Sequence, residues 1–357
     1  MLRTFVLGIV QGLTEFLPIS SSAHLSIVPK LLGYRTPELA FEVLLHFGTL
    51  AAVVAYFAKD LWSFVLSVVA PGVLGQRQAA IRRRQLGLLV IASIPAAFFG
   101  YLLQDWADAQ TSRPLRSAVW LVTTTLIMIA AELWARSHQV GGVAPAAGSA
   151  RRAGAIASDP ARPAGTSVQA ARVGAFDDQP HAPARADAFE EGPPAQAQVQ
   201  LAAAARPMTR AEIRRQRSSA AVAPGSATDE LERLPVGKAV GIGLAQAVAL
   251  IPGTSRSGVT ISAGLFEGVS REAAARFSFL LSIPAILGAG ILKLGDLSHA
   301  TDSPAQLAVG FVAAAVSGFF AVSFLIRLLR TRTLWPFIWY RLIAGGLFVV
   351  LLATVRG

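Results

Sequence analysis

The sequence contains no cysteine. That absence excludes disulfides, zinc–thiolate sites, iron–sulfur clusters and cysteine nucleophiles, and it leaves the redox compartment unreadable. Charge is also scarce, at 15% of residues against 53% hydrophobic, and the scarcity is local. Leu86 to Gln104, Ser117 to Ala131 and Ala305 to Ile326 carry no charged residue. Shorter apolar runs cover Val43 to Ala58, Phe277 to Leu292 and Leu342 to Val355. About twenty apolar residues cross the core of a bilayer, so these runs and their flanks predict an all-α polytopic membrane protein. The net charge of +11 has no basic groove with stacking aromatics to go with it, which argues against nucleic acid as a partner. The excess lies in short loops beside the apolar runs, as topology signals do.

Residues 137–232 differ from their surroundings. They are rich in Ala, Pro and Arg, hold nine prolines, and balance ten Arg against ten acidic residues. Such a stretch buries too little apolar surface to offset its ordering entropy, and it reads as a disordered insert. It separates a first membrane repeat, 1–136, from a second, 233–357. Arg3, an apolar stretch and Ser21-Ser22-Ala23 imitate a cleavable signal. Gln11, Thr14 and Glu15 interrupt it where signal peptides are most apolar, so the segment is expected to stay in the mature chain.

The two halves resemble each other. GIVQGLTEFLPISSS in the first matches GIGLAQAVALIPGTS in the second, with one gap before the proline. Pro18 lies twenty residues before Glu38, and Pro252 twenty before Glu272. Each half reads as a re-entrant broken helix followed by three transmembrane helices. Three is odd, so the second half enters from the opposite side, giving two inverted-topology repeats. Lys59, Arg77, Arg82–Arg84, Arg136, Arg327, Arg330 and Arg332 occupy alternate loops, which the positive-inside rule assigns to the cytoplasm. The insert is then cytoplasmic and both termini lie outside.

The broken helices hold the chemistry. Proline removes an N–H and disfavours helix just before itself, and broken helices in lipid occur only where protein or a wet cavity satisfies the freed backbone. Beyond Pro18 come Ser20, Ser21, Ser22 and His24; beyond Pro252 come Thr254, Ser255, Arg256, Ser257 and Thr260. Glu15 lies one turn after Gln11. Intramembrane charges are costly and face a cavity or each other, so Glu15 and Arg256 form either a structural pair between the repeats or part of an anion site. Arg256 offers a planar fork to phosphate, and the glycines and hydroxyls let backbone N–H groups approach an anion. His46 reads as a satisfied intramembrane polar residue. Glu38, Glu42 and Glu272 read as span ends, and Glu132 and Arg276 as interfacial anchors.

QGLTEFLPISSSAHL (11–25) and IPGTSRSGVT (251–260) resemble the two signature segments of the bacterial undecaprenyl-diphosphatase family, the bacitracin-resistance type. The similarity extends to FEVLLHFGTLAAV (41–53), SIPA (93–96), FSFLLSIPA (277–285) and FIWYR (337–341), and omits only the insert. It implies a multi-pass enzyme of the bacterial inner membrane. Such an enzyme hydrolyses undecaprenyl diphosphate to the monophosphate and inorganic phosphate, recycling the carrier for peptidoglycan. It also implies that Glu15, Ser21, His24 and Arg256 are catalytic, with Ser255, Ser257 and Thr260 around the phosphate. Ser20, Ser22 and Thr254 belong to the same phosphate-binding clusters. Gln11 stands where some members have Glu, so Glu15 is the only motif carboxylate. A divalent cation, Mg²⁺ or Ca²⁺, would be held by Glu15 and Gln11, with water and phosphate oxygens completing its shell.

Within that chemistry Ser21 is either a covalent nucleophile or a hydrogen-bond donor, and His24 protonates the leaving group or relays a proton. The rival reading is a transporter or flippase of an anionic polyprenyl phosphate, since inverted repeats with midplane breaks also serve alternating access. A purely structural protein leaves Glu15, His24 and Arg256 unexplained. Oligomeric state is open, a homodimer included.

Overall fold

The computed structural model describes residues 1–35, 37–111, 114–138, 226–293, 295 and 301–354. Among them every regular element is a helix. The first half comprises α1 (Leu2–Phe16), α2 (Ser21–Leu31), α3 (Leu39–Tyr56), α4 (Ala58–Val69), α5 (Pro71–Leu74), α6 (Gln76–Leu102), α7 (Gln104–Thr111) and α8 (Pro114–Ser137). The second comprises α9 (Ala227–Glu232), α10 (Val236–Val248), α11 (Arg256–Phe266), α12 (Arg271–Leu292), α13 (Pro304–Leu329) and α14 (Trp335–Thr354). Six of these, α3, α6, α8, α12, α13 and α14, are long and apolar enough to cross a membrane, and they coincide with the six apolar runs. At ~1.5 Å rise per residue, neither α1 nor α2 is long enough to cross alone.

The insert predicted as disordered lies outside the described residues from 139 to 225. Its last residues, however, form α9, which opens with a capping box between Ser226 and Asp229 and buries Leu231. Sequence composition concealed this helix because its anchors are tertiary. Arg84 of α6 donates to the Glu232 and Leu234 carbonyls, and Glu230 accepts from the Ser270 N–H.

The breaks occur where the prolines require them. Leu17, just before Pro18, adopts an extended backbone (φ −64°, ψ 141°) and ends α1. After Pro252 the chain turns through Gly253 at φ +93°. Ser255 then caps α11, its Oγ accepting from the Gly258 N–H at 3.1 Å. Gly253 has a second reason to lack a side chain, because a Cβ there would run into the Ser117 carbonyl of α8.

Helix packing sets the breaks between the spans. α1 and α3 both lie on α13; α10 and α12 both lie on α6; α8 packs on α14, and α3 on α12. The α1–α13 seam is very close. A Cβ on Gly12 would sit 2.5 Å from the Ala314 carbonyl oxygen and 2.7 Å from the Gly318 nitrogen, which is the close approach that small residues permit in membranes. Polar contacts tie the two ends of the bundle. At one, Arg3 meets Asp302 at 2.5 Å and Thr301 Oγ1 donates to Glu38 at 2.7 Å. Those Thr301 bonds hold the exposed Glu38 carboxyl below the usual carboxylate range. At the other end Asp60 pairs with Arg276 at 3.2 Å and Arg82 at 3.7 Å, and Arg330 with Glu272 at 3.0 Å.

Two expected interfacial anchors behave differently. Glu132 is fully buried, paired with Arg271 and accepting from the Leu334 N–H at 3.2 Å. It joins α8, α12 and the start of α14 inside the protein, and no local pattern points to its partner 139 residues away. Arg276, besides pairing with Asp60, places its guanidinium 5.4 Å from the Phe57 ring centre, so it too packs on protein.

Candidate active site

An open cavity of about 320 Å³ lies where the two breaks face each other. From the first break it is lined by Glu15, Ser20, Ser21 and Ser22; from the second by Thr254, Ser255 and Arg256. The remaining walls come from the first half of α3 and the last turns of α12.

Glu15 is the hub. Its Oε1 accepts from Arg256 Nη2 at 3.0 Å, and its Oε2 accepts from Ser21 Oγ at 2.6 Å and from Gln11 Nε2 at 3.2 Å. The carboxylate therefore joins the end of α1, the start of α2 and the start of α11. Arg256 is only partly committed to it, since its Nη1 reaches the Ser278 carbonyl at a long 3.3 Å. A guanidinium carries five N–H donors, so it retains capacity for an anion in the cavity.

The two breaks also bind each other directly. Ser22 Oγ accepts from the Gly253 N–H at 3.0 Å, and Ser257 Oγ donates to the Leu17 carbonyl at 3.2 Å. Thr260 Oγ1 is shared between the Arg256 carbonyl, at 2.7 Å, and Ser278 Oγ, at 2.6 Å. Ser257 and Thr260 thus lie outside the cavity lining and hold the turn that carries Arg256. Thr254, by contrast, lines the cavity, and its Oγ1 is buried without a hydrogen-bond partner.

His24 is the sequence-derived candidate that the fold keeps apart from the others. It follows Ser21 by one turn of α2, yet its ring points away from the cavity toward α14, with Nε2 2.7 Å from the Tyr340 hydroxyl. Conversely, the cavity takes in three polar residues given no site role from sequence: Glu42, read as a span end, His46, read as a satisfied polar residue on a span bordering the cavity, and Lys293, not singled out. His46 Nε2 lies 3.7 Å from Glu15 Oε2, so the polar group read as merely satisfied faces the hub. The i, i+4 spacing of Glu42 and His46 puts them on one face of α3, a signal available in FEVLLH. Lys293 ends an apolar helix and offered none.

The donor set accommodates a divalent cation only sparingly. Among the described residues no group of three or more acidic or histidine side chains gathers. Gln11 Oε1, however, is buried without a hydrogen-bond partner beside the Glu15 carboxylate. Two oxygen donors with phosphate and water completing the shell is the way Mg²⁺ is usually held, so the residues fit such an ion.

Fold and site together define a polytopic α-helical membrane protein with an open cavity, lined by hydroxyls, a carboxylate and a guanidinium, between two broken helices. The family model described as bacitracin resistance protein BacA matches residues 4–155 and 195–347, and the chain belongs to that family. It is similar to the undecaprenyl-diphosphatase of Alcanivorax borkumensis, 37% identical over 346 residues and 96% of each chain. The Chlorobium phaeovibrioides undecaprenyl-diphosphatase is 35% identical over 99% of this chain and 98% of its own. That of Pelotomaculum thermopropionicum is 33% identical over 99% and 97%.

Proposed function

We propose that the protein hydrolyses undecaprenyl diphosphate to undecaprenyl phosphate and inorganic phosphate in this cavity. That activity recycles the lipid carrier for peptidoglycan synthesis and, as the family name states, bears on bacitracin resistance. The observation that carries the reading is the chain Ser21 Oγ–Glu15–Arg256, an acid-paired hydroxyl beside a guanidinium with donors to spare. Family membership and relatives that carry the diphosphatase name support it.

In this reading Arg256, with Ser255 and Thr254, holds the terminal phosphate and stabilises the charge that builds on its oxygens during transfer. Ser21 Oγ attacks that phosphorus as Glu15 takes its proton, and the bridging P–O bond breaks to release undecaprenyl phosphate. Water then hydrolyses the phosphoserine to free phosphate. Glu15 at 2.6 Å supplies the base that a lone serine needs. Glu15 and Gln11 Oε1 are the residues that would hold a divalent cation, which when bound neutralises charge on the phosphate oxygens.

The architecture is read as two inverted repeats, each a re-entrant broken helix and three spans. The paired packings support this: α1 with α13 mirrors α10 with α6, and α3 with α13 mirrors α12 with α6. The cavity lining includes Leu39, Glu42 and Lys293, at the start of α3 and the end of α12, away from the end rich in arginine, and its mouth is read as lying there. With that basic end in the cytoplasm, the site opens to the periplasmic side of the inner membrane.

The test is phosphate release by purified protein in sealed vesicles with the diphosphate lipid confined to one leaflet. Release is expected only for the leaflet at the cavity mouth. Absence of release from either leaflet defeats the hydrolase reading and favours the transporter.

A further inference from the structure

Residues Leu17 to Ser20 run between helices, and three of their four backbone carbonyls accept from side chains, two of them distant in the chain. Leu17 is taken by Ser257, as described above. The Pro18 carbonyl accepts from Arg341 Nη1 at 3.2 Å. Arg341 is fully buried on α14, and its other acceptors are the Leu121 carbonyl and the hydroxyls of Thr124 and Thr125 on α8. The Ser20 carbonyl accepts from His24 Nδ1 at 2.7 Å.

That last bond fixes the rest of a chain. A carbonyl can only accept, so Nδ1 carries the proton, and in the neutral ring Nε2 must accept. The Tyr340 hydroxyl, 2.7 Å from Nε2, is therefore the donor. The two rings also stack, 5.8 Å apart and 14° from parallel, with Phe348 edge-on to His24 at 5.6 Å. Both nitrogens of His24 are committed, and neither faces the cavity.

α14 thus grips the break at two carbonyls, Pro18 through Arg341 and Ser20 through Tyr340 and His24. Between them Ser20 stands at φ +73°, the only non-glycine with positive φ among the described residues. A residue with a Cβ keeps such a backbone only where its surroundings over-determine it. The next residue is Ser21, whose hydroxyl the turn aims at Glu15.

We propose that Tyr340 and His24 are positioning residues for the hydrolysis: together they pin the Ser20 carbonyl, and through it the direction of the Ser21 hydroxyl. This rests on the diphosphatase reading above, and it assigns His24 to the turn in place of proton transfer to the leaving group.

The test uses the full chain in detergent, with phosphate release from a polyprenyl diphosphate and hydrogen exchange measured on the same variants. Tyr340→Phe keeps the stacked ring and removes the donor; kcat should fall about tenfold with KM within about twofold, since misaiming costs turnover and leaves phosphate binding intact. His24→Asn restores a donor at the Nδ1 position and removes the titrating ring; it should match Tyr340→Phe, whereas His24→Ala should lose about a hundredfold. Amides of residues 19–24 should exchange faster in Tyr340→Phe, with those of 256–266 unchanged. The proposal is overturned if Tyr340→Phe turns over and exchanges like the unmodified protein. It is equally overturned if His24→Asn is as inactive as His24→Ala, which would return the ring to the chemistry. Should the unmodified protein release no phosphate, the diphosphatase reading fails while the exchange comparison still judges the brace.

Discussion

Glu15 and Arg256 stand 241 positions apart in the chain and 3.0 Å apart in the fold. Each sits beside a proline break, and neither half of the molecule contains the pair. Arg256→Ala should lower kcat for phosphate release by about 10²–10³-fold, the scale for removing one preorganised donor to developing charge. Arg256→Lys should recover little of it, because an ammonium keeps the charge and loses the fork. Glu15→Gln should be comparably damaged. Elution of each variant as a monodisperse species in detergent checks that the fold survives; near-full activity in either would separate this pair from the chemistry.

Chelation should stop phosphate release, and Mg²⁺ or Ca²⁺ should restore it. With Gln11 beside Glu15, such an ion would be held by one carboxylate and an amide oxygen. Gln11→Glu should therefore shift half-restoration to lower metal concentration, read from a metal titration of the rate. An unchanged titration would place the ion elsewhere.

His46→Ala should reduce turnover by about a hundredfold, the lower end of what a positioned proton-handling group contributes. Turnover equal to that of the unmodified protein would make His46 a bystander.

Gly253→Ala combines a backbone that L residues resist with a Cβ directed at the Ser117 carbonyl. Strain of this kind costs about 1–3 kcal/mol. A lower unfolding midpoint in detergent should accompany reduced activity, because the loop that moves also carries Thr254 to Arg256.

Removing residues 156–194, the stretch outside the family match, should leave phosphate release unchanged. Extending the deletion through α9 should destabilise the protein, since Arg84 then loses the Glu232 carbonyl and the Ser270 N–H loses Glu230.

Much of this was legible in the sequence because lipid imposes strong rules. Runs free of charge gave all six spans, and the prolines at 18 and 252 marked both breaks. Glu15 and Arg256 were conspicuous because charge in apolar surroundings requires a reason. The rest was set by direction, which composition does not encode. His24 follows Ser21 by three residues, but the turn at Ser20 sends its ring to α14. Glu132 looked like a headgroup anchor because its partner Arg271 lies beyond the insert. Lys293 reaches the cavity only through the course of α12, and α9, although its capping box is local, is anchored by Arg84 and Ser270 from elsewhere in the fold.

The size of the cavity has a consequence for what is recognised. At about 320 Å³ it has room for a phosphorylated head and far less than a long isoprenoid chain. In the proposed reaction the tail would stay in the surrounding lipid while its terminus is cut. Discrimination would then act on the anionic end, and lengthening or shortening the hydrocarbon would change mainly how the substrate partitions and how fast it arrives along the membrane plane.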